Sequence, residues 1–349
     1  MIIEQISTLA SRESLRTSTA RLQSRLDQTA AEVSSGRHGD IGLALGGQSA
    51  KILDLRGLSG DIEALVQSNG LLASRLSQTQ STLAAMAELA NGFFETLVAS
   101  RHSGSDRGAV VADARARLDA LTDLLSITSN GAYIFSGRNN QARPIATYVT
   151  DPPTGPCATV HATFSAAFGI QQGNPQVASI SASQLQTYLT GAFAALFDDP
   201  AWQTQFSSVG RGGIDVRASL NEVVTIPIDA DSAGVRRFMS ALVAVSDSGT
   251  DHLAADAYTQ LIDTAAGLAG KAGTELVHHQ GAVGVLQERI AAADARMGSQ
   301  RSLIEKHIQA AEGIDLLEAS SRLNGLMTQL EISYAVTSRL QQLSILNYL

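Results

Sequence analysis

Residues 55–97 read LRGLSGDIEALVQSNGLLASRLSQTQSTLAAMAELANGFFETL and carry the strongest periodic signal in the chain. Thirteen positions recur at spacings of three and four residues, and eleven of them are apolar, which is a heptad pattern over six repeats. The positions are Leu55, Leu58, Ile62, Leu65, Asn69, Leu72, Leu76, Thr79, Leu83, Met86, Ala90, Phe93 and Leu97. A helix of this length is roughly 65 Å long, whereas a compact globule of this chain length is roughly 50 Å across. The stretch therefore predicts a rod.

We predict that eight of these side chains form the packing line of that rod, here called the rod seam. They are Leu58, Ile62, Leu65, Leu72, Leu76, Leu83, Met86 and Phe93.

Similar spacings occur near both ends of the chain. The N-terminal set is Leu15, Leu22, Leu26 and Val33, and the C-terminal set is Leu316, Leu323, Leu326, Leu330, Tyr334, Leu340 and Leu343. We call these eleven residues the terminal set. Short helices are marginal alone in water, and two paired helices still leave apolar surface bare. We therefore expect the terminal set to be covered by neighbouring subunits in a ring or filament. An intramolecular helical bundle is the alternative, and the spacing does not separate the two.

The prolines mark a central insertion. All seven lie between residues 144 and 227, and both flanks lack proline, which is costly inside a helix. The centre also holds about half of the aromatic residues, a β-like run at 131–137 and alternating residues at 209–228. We predict a mainly α fold: an elongated antiparallel coiled-coil rod, built from the N- and C-terminal arms, with a small α+β central domain.

The predicted boundaries follow from these patterns. The inner terminal domain takes the helix and joining loop of 1–48 and the C-terminal helix of 305–349, rod helices occupy 49–137 and 229–304, and the central domain spans 138–228. Within the second arm, capping residues at 229–232 open a helix through residue 245, and a further helix begins near His252 and can continue to the C-terminus.

Composition excludes several classes of function. The net charge of −8 comes from scattered acids, and no basic stripe with interleaved aromatics is present, so nucleic acid is not an expected partner. No run of about 18 apolar residues exists, so membrane insertion is not expected. The N-terminus lacks the basic and apolar regions of a signal peptide. With one cysteine, Cys157, the composition alone indicates a cytoplasmic protein.

No residue pattern predicts catalysis, a cofactor or a metal site. Glu275 and His279 are four residues apart on a predicted helix, where a solvated helix face is the simpler interpretation. Cys157 and His161 are two metal-ligand types in a predicted loop, without a second pair to complete a tetrahedron. The glycine-rich runs lack a phosphate-loop lysine, and no Gly-x-Ser-x-Gly or His-Glu-x-x-His motif occurs. We expect a protein that is not an enzyme.

Three segments resemble the flagellin superfamily, and within it the family of hook-associated protein 3, which joins hook to filament. Residues 26–37 are similar to the family's leucine segment that ends in serine-glycine-basic residue. YIFSGRN at 133–139 resembles a signature more typical of the junction protein than of filament flagellin. GAVG at 281–284, IDLLEA at 314–319 and SILNYL at 344–349 resemble the family C-terminus. The chain departs from the family pattern at 39–47.

The resemblance implies an extracellular flagellar protein, exported without a cleaved signal peptide. Its implied partners are identical subunits in a helical ring or filament, the adjacent hook-associated protein, flagellin and a cytoplasmic export chaperone. The terminal helices would form an inner tube, and the central domain would face outward. The alternatives are a filament flagellin, a non-polymerising secreted coiled-coil interaction protein, and an enzyme with its site in 138–228.

Overall fold

The computed structural model describes residues 2–101, 106–150, 152–226 and 229–346, and for 2–12, 150 and 340–346 it describes the backbone alone. The α-helices in these residues are α1 (Ile2–Ser35), α2 (Ile41–Leu45), α3 (Ser49–Ser100), α4 (Arg107–Leu125), α5 (Pro156–Phe168), α6 (Ala182–Thr190), α7 (Ala201–Gln205), α8 (Ala233–Asp247), α9 (Ala255–Glu312) and α10 (Leu316–Leu346). The strands are β1 (Thr128–Ser129), β2 (Ala132–Tyr133), β3 (Val149–Thr150), β4 (Pro153–Thr154), β5 (Ile214–Ser219) and β6 (Glu222–Ile226). The predicted fold class, mainly α with a small strand-bearing insertion, is confirmed.

The chain divides into two compact units, one of residues 1–63 and 297–349 and the other of residues 64–296. The division falls inside α3 and α9, which have 52 and 58 residues. The predicted boundaries after residues 48, 137, 228 and 304 remain predictions, and residue 228 lies outside the described residues.

In the larger unit, α3 and α9 run antiparallel. Near one end Asn69 Nδ2 donates to Asp294 Oδ1 at 2.6 Å, and near the other Arg101 Nε lies 2.9 Å from Asp263 Oδ1. From Leu72 to Leu97 every position of the heptad pattern is buried. Helix α4 packs on α8, and Phe93 of α3 meets Phe238 of α8 edge to face. The apolar stripe of α3 therefore lies in the core of this unit.

The central insertion combines short strands with helices. Strands β1–β2, β3–β4 and β5–β6 form three antiparallel pairs, and β5 and β6 lie within residues 209–228, where the alternating pattern predicted strands. Aromatic rings in contact run from Phe164 through Tyr188 and Phe193 to Phe197 and Trp202. These buried rings belong to the same hydrophobic core as the apolar side chains of α3, α8 and α9.

Two local expectations were wrong. Residues 157 and 161 were expected in a loop, but they lie on α5, because Pro156 occupies the first helical turn, where its missing N–H is not needed. The helix expected to run to the C-terminus is interrupted after Glu312. There Asp315 Oδ1 accepts from the backbone N–H of Leu317 and Glu318, at 2.9 and 3.2 Å, and caps a new helix, α10.

Among the described helices, none combines the length and apolar content needed to cross a bilayer.

Candidate assembly surface

Helices α1 and α10 of the smaller unit pack side by side and run antiparallel. The residues that end α1 and begin α10 are joined, because Ile314 N–H donates to Gly36 O at 3.2 Å. Further along the pair, the hydroxyl oxygens of Thr19 and Ser333 lie 2.8 Å apart, and Gln23 Nε2 donates to Tyr334 Oη at 2.5 Å. These contacts hold α1 and α10 together as one antiparallel pair of helices.

The joint between the helices is organised by a buried carboxylate. The Glu312 side chain has no solvent exposure, and its oxygens lie 2.7 and 2.8 Å from Arg56 Nη2. Arg37 Nη1 is 3.7 Å from the same carboxylate. On the α1 side, Gly36 ends the helix in the left-handed region at φ 69°, which glycine adopts without steric cost.

The segment 39–47, where the chain departs from the family pattern, is folded around two acidic side chains. Glu32 Oε1 accepts from Gly39 N–H at 2.9 Å, and Asp40 Oδ1 caps α2 by accepting from Leu43 N–H at 2.9 Å. A single turn of 3-10 helix at Gly46–Gln48 then leads into α3. The different sequence therefore still forms a defined connection between α1 and α3.

The terminal set is only partly covered within the chain. Its half-buried members are Leu15, Leu22, Leu26, Val33, Leu323, Leu326 and Leu330. Leu316 and Tyr334 are 54% and 48% exposed. The side chains of Leu340 and Leu343 lie outside the described residues. None of the described members is fully buried, so the paired helices keep apolar surface in contact with solvent.

The rod seam differs from the terminal set. Ile62, Leu72, Leu76, Leu83, Met86 and Phe93 are buried, and Leu58 and Leu65 are half-buried. These side chains pack within the units of one chain, so little of their surface is left for a second subunit.

Four exposed apolar residues of α10 were missed by the sequence pattern. Leu317, Met327, Ile332 and Val336 are 83%, 49%, 58% and 42% exposed. A heptad search selects one face of a helix, and these residues lie outside the face that meets α1. The signal that could have revealed them is an excess of large apolar residues over the number that one helical face requires.

Glu275 and His279, the second pair of metal-ligand types in the sequence, lie on α9. The Glu275 carboxylate is in an ion pair with Arg237, and the rings of His278 and His279 lie 6.3 Å apart. Burial, with a smaller effect from His278, lowers the pKa of His279.

Two regions of the chain match known protein families. Residues 6–140 match the bacterial flagellin N-terminal helical region, and residues 266–349 match the bacterial flagellin C-terminal helical region. No curated protein is similar enough in sequence to count as a match. Among solved structures, the chain is similar to one described provisionally as a flagellar hook-associated protein from Vibrio parahaemolyticus, with 12% identity and a TM-score of 0.46. That similarity covers 76% of this chain and 97% of the other.

The two flagellin regions together span more than half of the chain and include all of α1, α3, α4 and α10 apart from a few terminal residues. Flagellin proteins are structural and non-enzymatic, are exported to the flagellum and self-assemble there. The chain belongs to the flagellin superfamily and is a structural subunit of the bacterial flagellum.

Proposed function

We propose that this chain is the subunit that joins the flagellar hook to the filament. The observation that supports an assembling subunit is the incomplete cover of α1 and α10, where a single chain leaves Leu316, Leu317 and Ile332 more than half exposed. Burial of such side chains contributes about 1.5–3 kcal/mol each, so contact with neighbouring subunits is strongly favoured.

The junction role, as opposed to the filament role, rests on the segment 133–139. In that segment Gly137 has φ 58°, Arg138 N–H donates to Gly210 O at 3.1 Å, and Gly210 N–H donates to Ser136 O at 3.1 Å. These two hydrogen bonds hold residues 136–138, at the end of the N-terminal arm, against Gly210 in the strand-bearing insertion. Its sequence, YIFSGRN, resembles the junction signature.

Several further features belong to the same proposal. The chain leaves the cell unfolded through the flagellar export channel, without a cleaved signal peptide, after binding a cytoplasmic chaperone. Its neighbours are identical subunits, the adjacent hook-associated protein and the first layer of flagellin. The insertion between α4 and α8 faces outward, and the terminal helices form the inner tube.

Filament flagellin is the second candidate, because both matching family models describe flagellin regions. A clean deletion strain distinguishes the two roles. We expect hooks without filaments and flagellin shed into the medium, both restored by the full chain supplied on a plasmid. Intact filaments would contradict the junction role. Missing filaments with no flagellin in the medium would identify this chain as the filament subunit.

Truncation tests whether the terminal helices carry assembly. Removal of residues 1–35 or of residues 315–349 should abolish incorporation into flagella while the remaining chain stays soluble and helical by circular dichroism. Incorporation at the normal level would contradict the assembly role of α1 and α10 and favour a non-polymerising interaction protein.

A further inference from the structure

Three side chains of different chemistry converge inside the larger unit. Cys157 and His161 lie one turn apart on α5, and Asp247 is the last residue of α8. Cys157 Sγ is 3.5 Å from His161 Nε2 and 3.8 Å from Asp247 Oδ2, and His161 Nε2 is 3.7 Å from Asp247 Oδ1. Cys157 and His161 meet because they are four residues apart on one helix, and the packing of α8 against α5 brings Asp247 to them.

These separations match the edges of a metal coordination tetrahedron. Zinc–ligand bonds of about 2.3 Å to sulfur and about 2.0–2.2 Å to nitrogen and oxygen place neighbouring ligand atoms roughly 3.3–3.6 Å apart. The sulfur–nitrogen distance of 3.5 Å lies within this range, and the distances of 3.8 and 3.7 Å to the carboxylate exceed it by a few tenths of an ångström. Because those two distances involve different oxygens of Asp247, the carboxylate has to turn slightly to present one oxygen to both positions. Thiolate, imidazole and carboxylate are also the three ligand types that zinc takes in proteins.

The surroundings of the cluster are those of a site with one open side. Cys157 is fully buried, the Asp247 side chain is 5% exposed, and the His161 side chain is 31% exposed. An ion can therefore enter past His161, and a water can take the fourth position. Tyr148 Oη donates to Asp247 Oδ2 at 2.5 Å, and Arg115 Nη2 lies 3.8 Å from Asp247 Oδ1. Contacts of this kind orient a ligating carboxylate.

The same geometry excludes a cysteine–histidine catalytic pair assisted by Asp247. In such a triad the aspartate binds the imidazole nitrogen opposite to the one that faces the nucleophile, but here Nε2 faces both Cys157 and Asp247. Burial, reinforced by the Asp247 carboxylate, raises the pKa of Cys157 to about 11. A neutral, fully buried thiol is a poor nucleophile.

We propose that Cys157, His161 and Asp247 bind one divalent cation of the zinc type, which links α5 to α8. The thiol proton is released to solvent as the sulfur–metal bond forms. Thiolate and carboxylate then neutralise the charge of the dication. The inferred role is to fasten the insertion to the helices that carry it, and it does not depend on whether the chain serves the junction or the filament.

The test uses the full-length monomeric protein, treated with a chelator and then titrated with Zn²⁺ or Co²⁺ alone. We expect one equivalent of metal per chain, a thiolate-to-cobalt charge-transfer band with Co²⁺, and a higher Tm with Zn²⁺. No retained metal and no cobalt band would overturn the proposal and leave a hydrogen-bonded cluster only.

Variants locate the site. His161→Ala should weaken Zn²⁺ binding by at least about tenfold, and Cys157→Ala should remove the charge-transfer band. His161 is partly exposed, so its variant is expected to fold even if Asp247→Asn does not. The matched control is the double variant His278→Ala, His279→Ala on α9, which should bind as the native chain does. Loss of binding in the control, with retention in His161→Ala, would assign the metal to the surface and overturn the proposal.

Discussion

His279 is a half-buried titratable residue, and its environment sets a pH dependence. Burial lowers its pKa in the folded chain below the value of about 6.5 expected when unfolded. The unfolded chain therefore binds more protons as the pH falls through about 6.5, and stability is lost on the acid side. His279→Gln should reduce the loss of unfolding free energy between pH 7.5 and 5.5, measured by urea denaturation.

The neighbouring exposed residue is the control for that measurement. His278→Gln should leave most of the acid-side loss in place, because His278 is in solvent and only its charge affects His279. Equal pH dependence in the native chain and in His279→Gln would show that burial of this ring does not penalise its protonation.

A second effect at the scale of one residue concerns Gly137. Its φ of 58° lies in the left-handed region, and a Cβ at this position would collide with the carbonyl oxygen of Gly210. Gly131 has a similar φ of 78°, but a Cβ there would meet open space. Gly131→Ala should cost about 1 kcal/mol through backbone strain alone, whereas Gly137→Ala should cost clearly more. Equal losses of unfolding free energy in the two variants, measured by chemical denaturation, would contradict the close approach of Gly137 to Gly210.

At the scale of elements, α3 offers a matched pair of leucines. Leu83 is fully buried in the rod seam, and Leu71 on the same helix is 66% exposed. Leu83→Ala should lower the free energy of unfolding by about 2–5 kcal/mol, and Leu71→Ala should change it by about 0.5 kcal/mol or less. A similar cost for both substitutions would mean that the buried face of α3 is misassigned.

The polar position Asn69 shows how the same helix tolerates an interruption of its apolar stripe. Asn69 is buried, and its amide nitrogen donates to Asp294 Oδ1 at 2.6 Å and to Ala218 O at 2.8 Å. These hydrogen bonds offset the cost of burying the amide nitrogen, whereas the amide oxygen is buried without a hydrogen-bond partner among the described residues. They also connect α3 with α9 and with the β5–β6 hairpin, which a substitution by leucine could not do.

At the scale of the whole molecule, the prediction concerns assembly. Leu317→Lys and Ile332→Lys change exposed residues of α10, so the free energy of unfolding of the monomer should change by about 0.5 kcal/mol or less. If neighbouring subunits cover this surface, the critical concentration for polymerisation should rise at least about fivefold, since burial of each side chain contributes about 1.5–3 kcal/mol. Sedimentation of polymer from monomer measures the change.

The control for assembly is Val223→Lys on the β5–β6 hairpin. Val223 is 60% exposed and belongs to the insertion that is proposed to face outward. We expect the native critical concentration. An effect as large as that of the α10 variants would contradict the outward position of the insertion.

Local patterns in the sequence were enough to predict the long helices of the two arms and a strand-bearing insertion between them, but not α5 or the break before α10. Spacings of three and four residues are a local property of a helix, so residues 55–97 were sufficient to predict the greater part of α3. The absence of proline outside residues 144–227 indicated where the helical arms give way to the insertion, because proline is incompatible with helix interiors. The exact boundaries of the insertion remain predictions. Short contiguous motifs in both arms were likewise sufficient to indicate the resemblance to flagellin.

Which distant side chains meet depends on how the whole chain packs. Asp247 reaches Cys157 and His161 across 90 and 86 positions of sequence, and Glu312 is enclosed beside Arg56. The exposure of Leu317 and Ile332 likewise depends on which face of α10 meets α1. Periodicity reports the face that a helix prefers to bury, but the partner of that face is set by the packing free energy summed over the whole fold, which no local stretch of sequence contains.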